Sequence, residues 1–370
     1  MVRCVPLFLI LLLPILALGG QDTPPPQQPP QLQPRPAEPE KSPATGADRR
    51  IALNVQVTAK SGAPVRGLQQ QDFTVLDDKR PQSIRSFQAV DGRAAAASDP
   101  PVQIILVVDA VNASFHSVAY ERDELKKFLL QNGGKLPQPV SLVVFADTGT
   151  RMQQGSSRDG NALAALYEQY ATGLRIINRS QGFYGAAERF ELSLRTLNSL
   201  VAYEAKQPGR KLMIWFSPGW PLLTGPRIDY TNKDEQQFFN SIVGLSNELR
   251  RADITLYSVD PLGLADAGTV RISYYEEFLK GVKSSNQAQA ADLSLQVLAV
   301  QSGGRVLNSS NDLTAEIAQC TSDAEAFYVL SFDSARADHA NEYHAIEVKV
   351  DKPGVTARSR TGYYAQPYAP

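Results

Sequence analysis

Cysteine is almost missing from this sequence: there are two, Cys4 and Cys320. Cys4 falls in an N-terminal apolar run that reads as a removable leader. Cys320 is then alone, and an internal disulfide in the mature chain is excluded. Leu313, Ile317 and Cys320 stand at i, i+4 and i+7 on a predicted helix, which makes Cys320 a buried, inert thiol. Histidine is as scarce, with His116, His339 and His344 only. There is no Cys/His metal spacing, no Gly-x-Ser-x-Gly elbow and no phosphate-cradling glycine loop. Charge of one sign is lacking too: 37 Lys and Arg balance 38 Asp and Glu, a net charge of −1. No basic excess draws the chain to nucleic acid or to an anionic membrane surface. After the N-terminus no stretch is apolar enough to span a membrane.

What is present begins with that leader. Arg3 precedes an apolar run from Val5 to Leu18, followed by Gly19 and Gly20. A short basic region, an apolar stretch too short to span comfortably and small residues at cleavage spacing predict a signal peptide over 1–19. The chain is therefore expected to be secreted, periplasmic or in the cell envelope, with no membrane span after cleavage. Residues 20–49 are rich in proline and glutamine and predict a disordered tether. From 50 to 92 Ile51, Leu53, Val55 and Val57 alternate with polar or small residues, the period-two pattern of half-buried strands. From 101 to 324 strand and helix patterns alternate, predicting a doubly wound, mostly parallel sheet with helices on both faces. Residues 262–286 carry no clear pattern. From 325 to 366 the pattern returns to strands, including His344, Ile346, Val348 and Val350 in alternation. The strands of the two ends are expected to form one small β-sandwich-like domain, with the α/β domain inserted between them.

The α/β region is organised around 102–109, Val-Gln-Ile-Ile-Leu-Val-Val-Asp. A continuous aliphatic run predicts a central strand buried on both faces. Its last residue, Asp109, stands where ligands bind in open α/β sheets, at the carboxyl ends of the strands.

Four segments carry a family likeness. They are the block from Val55 to Leu68 with Gln71-Asp72-Phe73-Thr74-Val75, the strand ending in Asp109, Ile254 to Pro261, and the tail from Tyr343 to Tyr364. In these segments the chain resembles the von Willebrand factor A (vWA) superfamily, and within it the VWFA-related domain proteins of acidobacterial type. The resemblance covers about residues 50–365 and implies a Rossmann-like vWA domain. Many vWA domains hold a divalent cation through an Asp-x-Ser-x-Ser motif, a Thr and a late Asp. Oxygen donors at a strand end suit Mg²⁺. Carried across residue by residue, Asp109 matches, but Val111 and Ala113 occupy the two serine positions and Pro218 stands where the late Asp would fall. The loop 181–185 that would supply the Thr has none.

The main expectation is an exported, non-catalytic protein-interaction module with a degenerate, metal-free adhesion site and no cofactor. Its partner is an unidentified protein rather than nucleic acid. The residues expected to bind it are Asp109, Asn112, Ser114, Ser217 and Trp220, with Phe183 and Tyr184 as further aromatics that can join Trp220 at the crevice rim. The bland readings are that Asp109 caps its own turn, that Asn112 and Ser114 are turn or N-cap residues, and that the aromatics plug a vacated site. A second reading is a cation-dependent adhesin whose reshaped loop places Asp109, Asn112 and Ser114 on Mg²⁺ or another divalent ion. A third is an extracytoplasmic enzyme using Asp109 and His116.

Overall fold

The computed structural model describes residues 49–92, 102–171, 182–224, 228–263 and 271–367. The expected signal peptide, the Pro-rich stretch up to residue 48 and the connector 93–101 lie outside the described residues. The first block comprises β1 (Arg50–Ala59), β2 (Phe73–Asp77), β3 (Arg80–Gln82) and β4 (Ser86–Asp91). Next come β5 (Gln103–Asp109), α1 (Phe115–Leu130), β6 (Lys135–Ala146), β7 (Gly149–Met152), β8 (Ser157–Asp159), α2 (Gly160–Ala171), α3 (Gly182–Glu204) and β9 (Lys211–Phe216). They are followed by α4 (Asn232–Arg251), β10 (Ile254–Val259), α5 (Arg271–Tyr274), α6 (Leu295–Gln301), β11 (Val306–Leu307) and α7 (Leu313–Thr321). The chain closes with β12 (Ala326–Asp333), β13 (Glu342–Val350), β14 (Val355–Arg358) and β15 (Gly362–Ala365).

The central sheet has the order β11-β10-β9-β5-β6-β7, with β8 also on β6. Its strands β11, β10, β9, β5 and β6 run parallel, and β7 and β8 turn back antiparallel on β6. β5 is the middle strand and is buried on both faces, as its continuous aliphatic run predicts. Ile105 and Val107 enter one core, with side chains of α3, α4 and α6. Ile104, Leu106 and Val108 enter the other, with side chains of α1, α2 and α7. Each of these five side chains contributes roughly 1.5–3 kcal/mol by leaving water. The molecule is thus mixed α/β with a mostly parallel central sheet covered by helices. Among the described residues no helix is long and apolar enough to cross a membrane.

The terminal strands form two four-stranded sheets, β14-β1-β12-β4 and β15-β13-β2-β3. Both ends of the chain contribute to each, because β1 lies between β12 and β14 while β13 pairs with β2. Ile51, Leu53, Val55 and Val57 meet Phe73, Val75, Leu330, Phe332 and Tyr363 in a third core. The alternate residues of β1, Arg50, Ala52 and Asn54, face the other way, as the two-residue period of a strand requires.

One expected helix is interrupted. The apolar spacing over 289–301 predicts a single helix, yet Ala290–Leu293 is a 3-10 turn and α6 starts only at Leu295. Ser294 breaks it with an extended backbone, φ −68° and ψ 153°. The Asp292 carboxylate accepts from the Gln289 N–H at 2.8 Å and closes the first turn on itself. This local capping outweighs helical continuation.

Candidate functional site at the strand-end crevice

From β5 the chain passes to β6 on one side and later returns to β9 on the other. The order of strands reverses at β5 and β9, so their carboxyl ends open the crevice where such sheets bind ligands. Asp109 lies there and is fully buried. Its Oδ1 accepts the N–H groups of Val111 at 2.9 Å and Asn112 at 2.8 Å. Its Oδ2 accepts the Asn112 side-chain amide at 2.9 Å and the Trp215 indole N–H at 3.0 Å. An ionised carboxylate has about four acceptor sites, and four N–H donors fill them. Burial pushes the Asp109 carboxyl up, while the bonds from Asn112, Trp215 and Ser217 pull it back.

Of the expected binding residues, Asp109, Ser217 and Trp220 are buried, Asn112 is half-buried and Ser114 is exposed. Asp109 and Ser217 have no exposed surface, and Trp220 keeps 3% of its own. As folded here the three offer almost no side-chain surface to a partner, unlike the exposed arrangement expected for partner-binding residues. Trp220 is not a rim anchor: its ring packs edge-on against Trp215, centroids 5.1 Å apart, inside the apolar core. The Ser217 hydroxyl accepts the Gly219 N–H at 3.2 Å. Gly219 has φ 104°, and a Cβ there would lie 2.0 Å from Nε2 of Gln296 on α6. The positive φ favours glycine there, where the loop runs against the Gln296 side chain of α6. The Asn112 amide nitrogen donates to Asp109 Oδ2 and to Ser193 Oγ, each at 2.9 Å, while its Oδ1 is buried without a hydrogen-bond partner. Ser114 is exposed and caps α1, accepting the Ser117 N–H at 3.1 Å. Asn112 and Ser114 therefore hold the turn and the helix start. Val111 sits in the core. The side chain of His116 lies outside the described residues.

Sequence reasoning missed a second acid under the crevice. Glu121 on α1 is fully buried, and neither of its oxygens has a hydrogen-bond partner. Burial, and then the charge of Asp109, holds its carboxyl well above the usual range. Both buried acids are thus harder to ionise than free carboxyls, Glu121 the more so. The signal was present: Glu121 stands four residues before Leu125 and completes the apolar face of α1. A similar acid, Glu316 on α7, is pushed up to about 7 by burial and the nearby Asp260 and Asp312.

Among the described residues, the acids and histidine that converge at metal-ligating distance are Asp77, Asp78 and His344, in the terminal sheets. Asp77 is already engaged. It pairs with His344 Nδ1 at 2.9 Å and accepts from the Tyr363 hydroxyl at 2.8 Å. His344, read from its period-two strand as structural, joins β13 to β2 through this bond.

The exposed aromatics lie elsewhere. Phe183 and Tyr184, in the first turn of α3, are 50% and 85% exposed and pack edge-on against each other. On the same helix Ser193 reaches the Asn112 loop, ten residues or about 15 Å further along the axis. Past Ser193 the helix runs down one face of the sheet, with Leu197, Leu200 and Val201 in the core. Its first turns therefore extend beyond the strand ends.

No family model matches the chain, and no curated protein matches it in sequence. Solved structures do match. The pilus adhesin SpaC from Lactobacillus rhamnosus GG aligns with 84% of this chain at 12% identity and a TM-score of 0.36. The human COPII-coat protein Sec24c aligns with 72% of it at 9% identity and a TM-score of 0.30. The SpRpn10 VWA domain aligns with 59% of it at 10% identity and a TM-score of 0.29, over 94% of that domain. The chain spans 48% of the length of the adhesin and 44% of that of Sec24c.

Proposed function

We propose that the protein is an exported, non-catalytic protein-interaction module. In this reading residues 1–19 direct export and the Pro-rich segment is a tether. The terminal sheets form a sandwich-like base, and a vWA-like α/β domain presents its strand-end face to a protein partner without a metal ion. One observation carries the reading. At that face the one acid matching the metal motif has its acceptor sites filled from within the protein, while the rings of Phe183 and Tyr184 stand exposed on the helix that frames it. Exposed aromatics supply contact area at small entropic cost and serve as interface anchors. The anchors are thus Phe183 and Tyr184 in place of Trp220, and Asp109 supports the loop beneath them.

Capture from the envelope fraction of the exporting cell, with and without chelator, tests this reading. The wild-type chain is expected to hold its partner equally well in EDTA, and the F183S/Y184S double variant to lose it. Because both side chains are exposed, the double variant should melt as the wild type does. Capture abolished by EDTA would favour the cation-dependent adhesin. Capture by the folded double variant at the wild-type level would remove the aromatic pair from the interface.

A further inference from the structure

At the opposite edge of the central sheet a cavity of about 660 Å³ opens between the start of the parallel strands and the sheet β14-β1-β12-β4. Its floor follows from strand registry. Asn54 pairs with Val329, Val329 with Gln88, and Phe327 with Val90. These side chains lie on the face of that sheet turned away from the terminal core. Ile254 adds an apolar wall from the central sheet.

The charge in the cavity is one-sided. Among the described residues six arginines line it, Arg50, Arg158, Arg210, Arg250, Arg251 and Arg360, against a single carboxylate, that of Asp253. Some of this charge has another explanation. Arg50 pairs with Asp333 at 3.6 Å. Arg210 donates to the Asp323 carbonyl at 2.9 Å and lies 4.3 Å over the Phe327 ring. Arg250 and Arg251 occupy the last turn of α4, where the helix dipole favours cations. Arg360 has no such reason. Two residues earlier Arg358 is bonded to the Asp323 carboxylate, whereas the Arg360 guanidinium makes no hydrogen bond or ion pair with any described residue. The fold has brought it to a half-buried wall facing a like charge. Burial and the neighbouring charge of Arg250 lower Arg360 to about 10, and Asp253 only partly offsets them. Drawing a charge out of water without a partner is costly, and an anion in the cavity would remove that cost.

We propose that this cavity binds a phosphate ester with an apolar or aromatic body, held by Arg250 and Arg360 through its phosphate and by the Phe327–Val329 floor through its body. Guanidinium groups arriving from α4 and from the segment after β14 surround a tetrahedral group, whereas a single planar carboxylate needs only one fork. A cavity of this size lies in the range of small-molecule sites and far exceeds what inorganic phosphate fills, so the apolar floor has a role. This site is independent of the strand-end face.

Calorimetric titration of the full chain with adenosine 5′-monophosphate, inorganic phosphate and adenosine tests the proposal. The monophosphate is expected to bind, inorganic phosphate to bind more weakly, and adenosine to give no heat. Binding should weaken as salt rises. R360Q and R250Q should each lower affinity for the monophosphate by about tenfold or more. Without ligand, R360Q should melt at or above the wild-type temperature, since it removes an uncompensated charge. No heat from either phosphate, adenosine binding as tightly as the monophosphate, or wild-type affinity in R360Q would each overturn the proposal. A marked loss of stability in R360Q would overturn it too, by showing that the fold itself uses the guanidinium.

Discussion

The two ends of the central sheet treat charge in opposite ways. At the carboxyl end Asp109 is fully buried and receives four N–H donors, and Trp220 and Gln296 close the space above it. At the amino end the Arg360 guanidinium borders a cavity and donates no hydrogen bond to, and makes no ion pair with, any described residue. Topology marks the first end as the place for a ligand, but accounting for polar groups marks the second. A crevice at a strand reversal is only an opportunity. A charged group that the fold leaves unmatched is a demand, because desolvation without a partner costs free energy.

The strongest way to break this contrast is to show that the carboxyl end is open. Trp220→Ala should cost about 3–5 kcal/mol in chemical denaturation, the price of emptying a packed aromatic site. A cost near zero would mean that the indole stands in solvent and that the crevice is accessible. The saturation of Asp109 can be broken next. Asp109→Asn keeps the shape but turns an amide N–H₂ toward donors, leaving buried N–H groups opposed. The expected loss is about 2–3 kcal/mol, with no change on adding EDTA or Mg²⁺ to either protein. A wild-type chain whose melting rises with Mg²⁺ while that of the variant does not would restore the metal reading.

The smallest expected effect concerns a buried acid of the same end. Glu316 titrates at about 7 in the folded protein against an ordinary value of 4.5. The folded form keeps its proton longer than the unfolded form, so ionisation opposes folding. The penalty is absent below 4.5, grows between 4.5 and 7, and is constant above. Glu316→Gln should therefore be more stable than wild type by about 1–2 kcal/mol at about pH 9 and equal to it at about pH 4. Denaturation curves across that range check the sign. Equal stabilities at both ends would mean that Glu316 is solvated, and that the carboxyl end is wetter than its packing indicates.

Much of the architecture was legible from pattern. The run from Ile104 to Val108 announced a strand buried on both sides, and the alternation from Ile51 to Val57 a half-buried one. Both depend on side-chain period, which is local. The side chains of Val111, Ala113 and Pro218, which carry no ligating atom, were also plain in the sequence. Partner identity within the crevice was less so. Trp220 beside Gly219 and Pro221 looks like a rim residue in sequence, and only its packing on Trp215 and the approach of α6 bury it. Glu121 could have been found by noting an acid on the apolar face of α1. Arg360 could not, since nothing near it in the chain distinguishes it from Arg358, which finds Asp323. The lack of a glycine loop argued against a backbone phosphate cradle. It left untouched a site built from guanidinium side chains of separate elements.

The sequence by itself determined most of the elements and the central place of the strand ending in Asp109. These follow from residue type and spacing along a few turns or a single strand. Tertiary structure alone decided that Asp109 takes four N–H donors, that Trp220 is buried against Trp215, and that Arg250 and Arg360 share a cavity with Asp253. Whether a polar group is satisfied depends on residues distant in the chain. Trp215 reaches Asp109 across 106 positions, and no local pattern records which distant donor arrives and which does not.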